Sequence, residues 1–510
     1  MLASIALAEK APSQEGRRVL RNAATIGAFL ASPLHLFLMV RALGAAGYGR
    51  WWWTFVLLEA ANLLGVLGTD LYVRREIPPC ADDPEGNRRV AAIVGTSLAI
   101  VCVLGVGFAL LQIALATTLA GAQGDPELRP FLVLLAFQPV MWSVGAVLGA
   151  ALQSRHHLGG LAALRGIIVP AIVALVFYVA WRADLPAPVT LAMMLCASLL
   201  ALLLTVGLYA RYFSLRAVLR AMLRPTLVRP ALANGFRLVI PLALYTVGGK
   251  LDLYVVGAYH EPAYVGIYAA CLQVSALVPN VRGLFDPIAQ TQIGASYAAD
   301  RKALGSSLRY LARLCAFAIA PAFVLTVAVG QPVLGWLVGG PQPGTFEPLV
   351  VLAMGHLVTG IALAAWIVPM MFAGRTLALI AATAGLVKFG LLLLLVPHYG
   401  AVGAAIATAV GVVIAFGGQT YFGVREVGFQ PFPLSIAWIL GLSLVVAGAG
   451  RGLFEALAPR LSETVAVAVT SVAALGVLGA GLFALMDESD RLELRRLLGM
   501  RSPGVPSGAP

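Results

Sequence analysis

Long apolar stretches, each about as long as a bilayer is thick, are separated along this chain by short polar joints. A spanning helix needs about 20 mainly apolar residues. Fourteen segments reach that length: 21–42, 51–72, 91–119, 130–151, 161–181, 189–210, 234–257, 264–286, 311–339, 347–371, 376–396, 401–422, 433–455 and 463–486. The apolar runs do not alternate residue by residue, which excludes a transmembrane barrel. The pattern predicts an all-α polytopic membrane protein with about 14 transmembrane helices.

Composition sharpens this. Of the 510 residues 60% are hydrophobic and 11% are charged, where a soluble domain carries about 25% charged residues. The mean hydropathy is +0.90. The net charge of +12 would point to nucleic acid in a soluble chain, but here it follows topology. With the N-terminus inside, 26 of the 35 Lys and Arg fall in inside segments, six outside and three within spans, as the positive-inside rule requires. Both termini are then expected in the cytoplasm, with the chain in the cytoplasmic (inner) membrane. Tyr48, Trp51, Trp52, Trp53, Trp181, Tyr259, Tyr264, Tyr268, Trp336 and Tyr399 fall near the outer ends, where amphipathic rings settle. The opening MLASIALAEK lacks the charge order of a signal peptide. Cys80, Cys102, Cys196, Cys271 and Cys315 have no metal-ligand spacing, so neither a metal site nor a disulfide framework is expected. No cofactor is expected.

A weak internal repeat organises the spans. Tyr48 in LGAAGYGRWWW and Tyr264 in YHEPAYVGIYA align at an offset of 216, and the same offset carries Asp70 onto Asp286. The spacing predicts two pseudo-symmetric six-helix lobes, 1–210 and 234–424, joined by a cytoplasmic loop at 211–233. Spans 13–14 (433–486) and a disordered tail at 487–510 follow. Parallel repeats about an axis along the membrane normal are a transporter design, with substrate bound between the halves.

Ionisable residues inside spans carry the functional hypothesis. VGGKLDLYVVGAY (247–259) places Lys250 and Asp252 two apart in an apolar run. On a helix such residues lie on nearly opposite sides and cannot pair. At 1.5 Å rise per residue, His35, Glu59, Lys250, His356 and Lys388 all come out roughly 12 Å below the outer face, with Gln273 close to that level. Six spans thus supply one polar layer. Glu59 is the natural partner for Lys250. A structural ion pair or an outward-snorkelling lysine and a wet substrate cavity both stand as readings. His35 and His356 read first as satisfied polar contacts.

A second cluster, Arg21, Asp70, Arg74, Arg75, Arg237, Arg282 and Asp286, sits at the inner mouth. Its arginines suit bidentate binding of a diphosphate, though the positive-inside rule alone also places arginines there. Asp70 and Asp286 read as structural charge partners, Asp286 one helical turn after Arg282. There is no GxSxG, HExxH or phosphate-cradling glycine loop, and no large outer domain, so an enzyme is not expected.

Several stretches resemble one family. LGAAGYGRWWW is similar to the LGxxxYG signature of the Wzx-type polysaccharide flippases, within the multidrug/oligosaccharidyl-lipid/polysaccharide exporter superfamily. LDLYVVGAYHEPAYVGIYAACLQVSALVPNVRGLFDPIAQTQIGASYAADRKAL (251–304) resembles that family's second-lobe opening. MMFAGRTLAL (370–379) and VPHYGAVGAAIATAVG (396–411) resemble its span 10–11 turn and span 12 start. The resemblance implies alternating access by two lobes. It implies a substrate of undecaprenyl-diphosphate-linked oligosaccharide, moved from the cytoplasmic to the outer leaflet for surface polysaccharide biosynthesis. It also implies, by analogy with the lipid II flippase, a lipid-tail groove at spans 13–14. The implied partners are the lipid-linked sugar, the bilayer and other polysaccharide-assembly membrane proteins, not nucleic acid. A cation-coupled multidrug exporter of the same superfamily is the first alternative. A membrane polymerase or ligase of polysaccharide assembly is the second.

Overall fold

The computed structural model describes residues 14–80, 86–154, 158–233, 246, 248–282, 301–361, 374–427 and 434–486. Among these every regular element is helical. Among the described residues nine helices are long and apolar enough to cross a membrane, ten when the bent pair Leu34–Val66 and Thr69–Cys80 is taken as one.

Two of the long helices hold two predicted spans each. Gln14–Val66 breaks at Gly44 (φ 69°), and Gly374–Val427 breaks at Gly400 (φ 52°). Glycine enters this left-handed region without a Cβ penalty, so the chain reverses there in a tight joint. Gly400 has a second reason to be glycine, because a Cβ there would overlap the Tyr264 hydroxyl, which accepts a hydrogen bond from the Ala401 N–H at 2.8 Å. The breaks recur. Asp184 (φ 49°) and Gly400 lie 216 apart, and the extended residue His260 lies 216 after Gly44. That is the Tyr48–Tyr264 offset.

The remaining elements follow the apolar pattern with small changes of edge. Gly86–Ala122, Ala187–Ala210, Leu434–Leu457 and Glu463–Leu485 are single helices. The predicted span 130–151 appears as Leu128–Leu134 and Gln138–Ser154, and the span 161–181 contains a π-helical turn, Leu164–Ile168. The span at 51–72 bends by 41° where Leu67 and Gly68 adopt positive φ. Most of the predicted span 234–257, and the inner ends of 264–286 and 347–371, fall outside the described residues.

The chain divides into two compact units. The first comprises 1–273, 335–348 and 372–415. One of its cores packs Tyr72, Val94, Val101, Leu148, Leu152 and Tyr209. The amphipathic helix Leu215–Leu223, capped by Ser214, lies against Gly86–Ala122 with Val218 buried. In the same unit, residues 45–49 meet Pro262–Ser275 main chain to main chain. A Cβ at Gly49 would overlap the Pro262 carbonyl, and one at Gly266 the Ala45 carbonyl. Small residues permit such approach where lipid supplies no hydrophobic drive between helices. The second unit comprises 274–334, 349–371 and 416–510. Its core joins Ile319, Phe323 and Val324 to Ala353, Leu357, Ile439 and Leu478. Large apolar side chains such as Val103, Leu110, Val472 and Val477 are left exposed, as lipid-facing surface requires.

Candidate functional site: two charge networks on one helix start

Lys250 immediately precedes the helix Leu251–Tyr259, and Asp252 lies in its first turn. Each has its own partners, all within the first unit.

Lys250 Nζ is ion-paired with the Glu59 carboxylate, and both side chains are about a quarter exposed, 27% and 28%. The ammonium also lies 4.7 Å from the Phe55 ring centre and 5.3 Å from that of Trp52. Phe55 and Trp52 precede Glu59 by four and seven residues, so one helix face offers Lys250 a carboxylate and two π surfaces. Trp51 stacks on Phe55 at 4.7 Å between ring centres and fixes that face.

Asp252 is enclosed. Its side chain is 1% exposed and that of Lys388 5%, with Nζ and Oδ1 3.3 Å apart. The Tyr268 hydroxyl donates to Asp252 Oδ2 at 2.9 Å and the Thr408 hydroxyl at 3.0 Å. Lys388 donates a further hydrogen bond to the Gly249 carbonyl at 2.7 Å. Burying charges is costly unless they are paired and their remaining lone pairs are filled. Here four helical segments converge to do so.

His35 Nε2 is 2.6 Å from the Pro170 carbonyl. Gln273 is half-buried on Pro262–Ser275. His356 is half-buried on Phe346–Ile361 in the second unit. At the inner-mouth cluster, Arg74 and Asp70 are 3.8 Å apart as an i,i+4 pair. Arg75 is exposed and 3.8 Å from Glu76. The side chain of Arg21 is outside the described residues, as are Arg237 and Asp286; of Arg282 only the backbone is described, at the end of Leu277–Arg282.

Sequence reasoning missed several groups. Trp52 and Phe55 were legible from their spacing to Glu59. Tyr268 reads from the sequence as an outer-end aromatic but is buried against Asp252 instead, and Thr408 carries no signal at sequence level, because only the folded chain brings it to Asp252. Arg165 stands in the π-helical turn and donates to the Gly145 carbonyl at 2.8 Å. Among the described residues no group of three or more His, Cys, Asp or Glu could hold a metal ion.

Apolar helices of membrane length with paired charges inside them define a multi-pass membrane protein, and its fold is one found among solved transporters. The chain is similar to the lipid II flippase MurJ in an inward closed conformation: 14% identity, TM-score 0.67, covering 93% of this chain and 99% of that one. It is also similar to an inward-facing multidrug resistance MATE family transporter of the MOP superfamily, at 15% identity and TM-score 0.64 over 80% of this chain and 98% of that one. A MOP superfamily transporter from Pyrococcus furiosus matches at 14% identity and TM-score 0.58, over 82% of this chain and 98% of that one. No curated protein sequence matches. The model of one family, described as polysaccharide biosynthesis protein, matches residues 22–291, more than half of the chain. The chain belongs to that family.

Proposed function

We propose that this protein is a flippase that carries an undecaprenyl-diphosphate-linked oligosaccharide from the cytoplasmic to the outer leaflet of the inner membrane, for surface polysaccharide biosynthesis. Family membership supports polysaccharide assembly as the setting, and the fold likeness supports transport as the activity. The observation that carries the reading is the Lys250–Glu59 pair, charged, partly open and flanked by aromatic rings inside the membrane. Such a pair serves a head group that is polar and sugar-rich, since hydroxyls can exchange for either charged partner while a ring faces the sugar's C–H surface.

In this scheme 1–210 and 234–424 act as two lobes rocking about the layer of Glu59, Lys250, Asp252, Lys388, His35, His356 and Gln273. Arg21, Arg74, Arg75, Arg237 and Arg282 receive the diphosphate at the inner mouth through bidentate hydrogen bonds. The lipid tail stays in the bilayer or against 433–486. The Asp252–Lys388 network holds the start of the second lobe in shape, and Lys250–Glu59 meets the sugar.

The test is Lys250→Met in cells that make normal amounts of the protein. Surface polysaccharide is expected to be lost, with the lipid-linked repeat unit accumulating on the inner leaflet. Undiminished surface polysaccharide would end the assignment. A cation-coupled small-molecule exporter, the runner-up reading, would instead show drug efflux and normal polysaccharide in the deletion strain.

A further inference from the structure

A cavity of about 760 Å³ opens in the first unit between the start of Gly86–Ala122 and the amphipathic helix Leu215–Leu223. A close approach holds the two helices together: a Cβ at Gly95 would overlap the Val218 carbonyl and the Ala221 side chain. None of the residues that form the Lys250 and Asp252 networks lines this cavity. The positive-inside rule assigns the joint 211–233 to the cytoplasmic side.

The short helix divides its side chains three ways. At about 100° per residue, Val218 and Met222 share the packed side, and Val218 is buried. Ala217, Arg220, Ala221 and Arg224 fall on one flank and line the cavity. Leu219 and Leu223 fall on the other flank, 57% and 83% exposed. Arg88, in the first turn of Gly86–Ala122, brings a third guanidinium to the cavity wall, and no Asp or Glu is among the lining residues. Residues 211–233 as a whole hold five arginines and no acidic residue. Arg220 and Arg224 have no side-chain partner among the described residues, so within them the charge of this flank is uncompensated. Asn87 and Thr226 add neutral hydrogen-bonding groups beside it. Clustered guanidinium groups match a phosphate, by charge and by their fork of donors. The exposed leucines narrow the source of that phosphate. A basic flank next to an apolar one is the form of a helix lying in the head-group plane of a membrane, where phosphate and acyl chain come as one molecule.

We infer that this cavity binds the head group of an anionic phospholipid of the cytoplasmic leaflet, with Arg220 and Arg224 on its phosphate and Leu219 and Leu223 set among acyl chains. The lipid is a ligand here and not the cargo, so the inference goes beyond the flippase reading and does not rest on it. The cavity volume lies within the roughly 300–1,000 Å³ of ligand sites. Bound there, the lipid ties Leu215–Leu223 both to the start of Gly86–Ala122 and to the charged inner leaflet.

The experiment uses the purified full-length protein in a neutral detergent. The probes are dioleoyl phosphatidylglycerol, dioleoyl phosphatidylcholine and inorganic phosphate. The readouts are the lipid retained in native mass spectra and the melting temperature. Phosphatidylglycerol alone is expected to bind and to raise the melt, as a ligand of the folded state does. Arg220→Gln with Arg224→Gln should weaken it about thirtyfold, a loss of about 2 kcal/mol, the scale of two arginines at an anionic surface. Both arginines are exposed, so the variant keeps its fold, and a melt equal to that of the wild type without added lipid checks this. Arg216→Gln with Arg229→Gln removes two charges from the same joint, away from the cavity wall. That control is expected to leave binding within about twofold, because exposed charges off the site are screened. Equal loss in the control, no loss in the cavity variant, or an equal response to phosphatidylcholine overturns the site. An equal response to inorganic phosphate overturns the lipid as its ligand. Displacement of phosphatidylglycerol by undecaprenyl diphosphate makes the cavity part of the transport path and also overturns the inference.

Discussion

Lys250–Glu59 and Lys388–Asp252 use the same two kinds of charge, begin two residues apart on one helix, and do opposite things. Lys388–Asp252 is closed on every side, with Tyr268, Thr408 and the Gly249 carbonyl taking up the remaining hydrogen-bonding capacity. Lys250–Glu59 keeps about a quarter of each side chain accessible and replaces hydrogen-bond partners with ring faces. A closed network cannot release one member without stranding another. An open pair held by a ring and a carboxylate can trade either for a passing hydroxyl. Finding intramembrane charges is therefore only half of finding a site; the partners decide whether a charge is structural or available.

The comparison is broken most severely at Asp252. Asp252→Ala leaves Lys388 buried and unpaired, and a loss of about 3–5 kcal/mol is expected, read as failed expression or a much lower melting temperature in detergent. Adding Lys388→Met should recover most of that loss; if the double variant is no better than the single one, the network is not what holds this helix start. Removing one hydrogen bond to the carboxylate through Tyr268→Phe leaves the ion pair in place, and about 1.5–3 kcal/mol is expected in the same melt. The smallest stability change is expected at Lys250. Lys250→Met should cost no more than about 1 kcal/mol, the scale of a partly exposed ion pair and cation–π contact, while transport is lost. Exchanging the charges, with Lys250→Glu and Glu59→Lys together, should restore the melt fully and transport only in part, because the rings would then face a carboxylate. Full restoration of transport would show that the pair is purely structural.

Much of the fold was legible because membrane spans announce themselves by length, and with 11% charged residues each intramembrane charge stands out. Lys250, Asp252, Glu59 and Lys388 were singled out for that reason. The joints were legible less well. Nothing in the apolar pattern marks the 41° bend at Leu67–Gly68 or the π-helical turn around Arg165, since both depend on how neighbouring helices crowd the backbone. Nor could it separate the two lysines by role. That separation needs to know that Tyr268 and Thr408 arrive at Asp252 from 16 and 156 residues away.

The contact of Gly49 with Gly266 has a mechanical meaning. Two main chains that touch without side chains between them have no interlocked rotamers to release. A seam of that kind can be unzipped and resealed by rigid movement of whole helices, with no toll in side-chain ordering at each cycle. It is also intolerant of ornament: a single added methyl at either glycine would act as a wedge, propping the seam ajar.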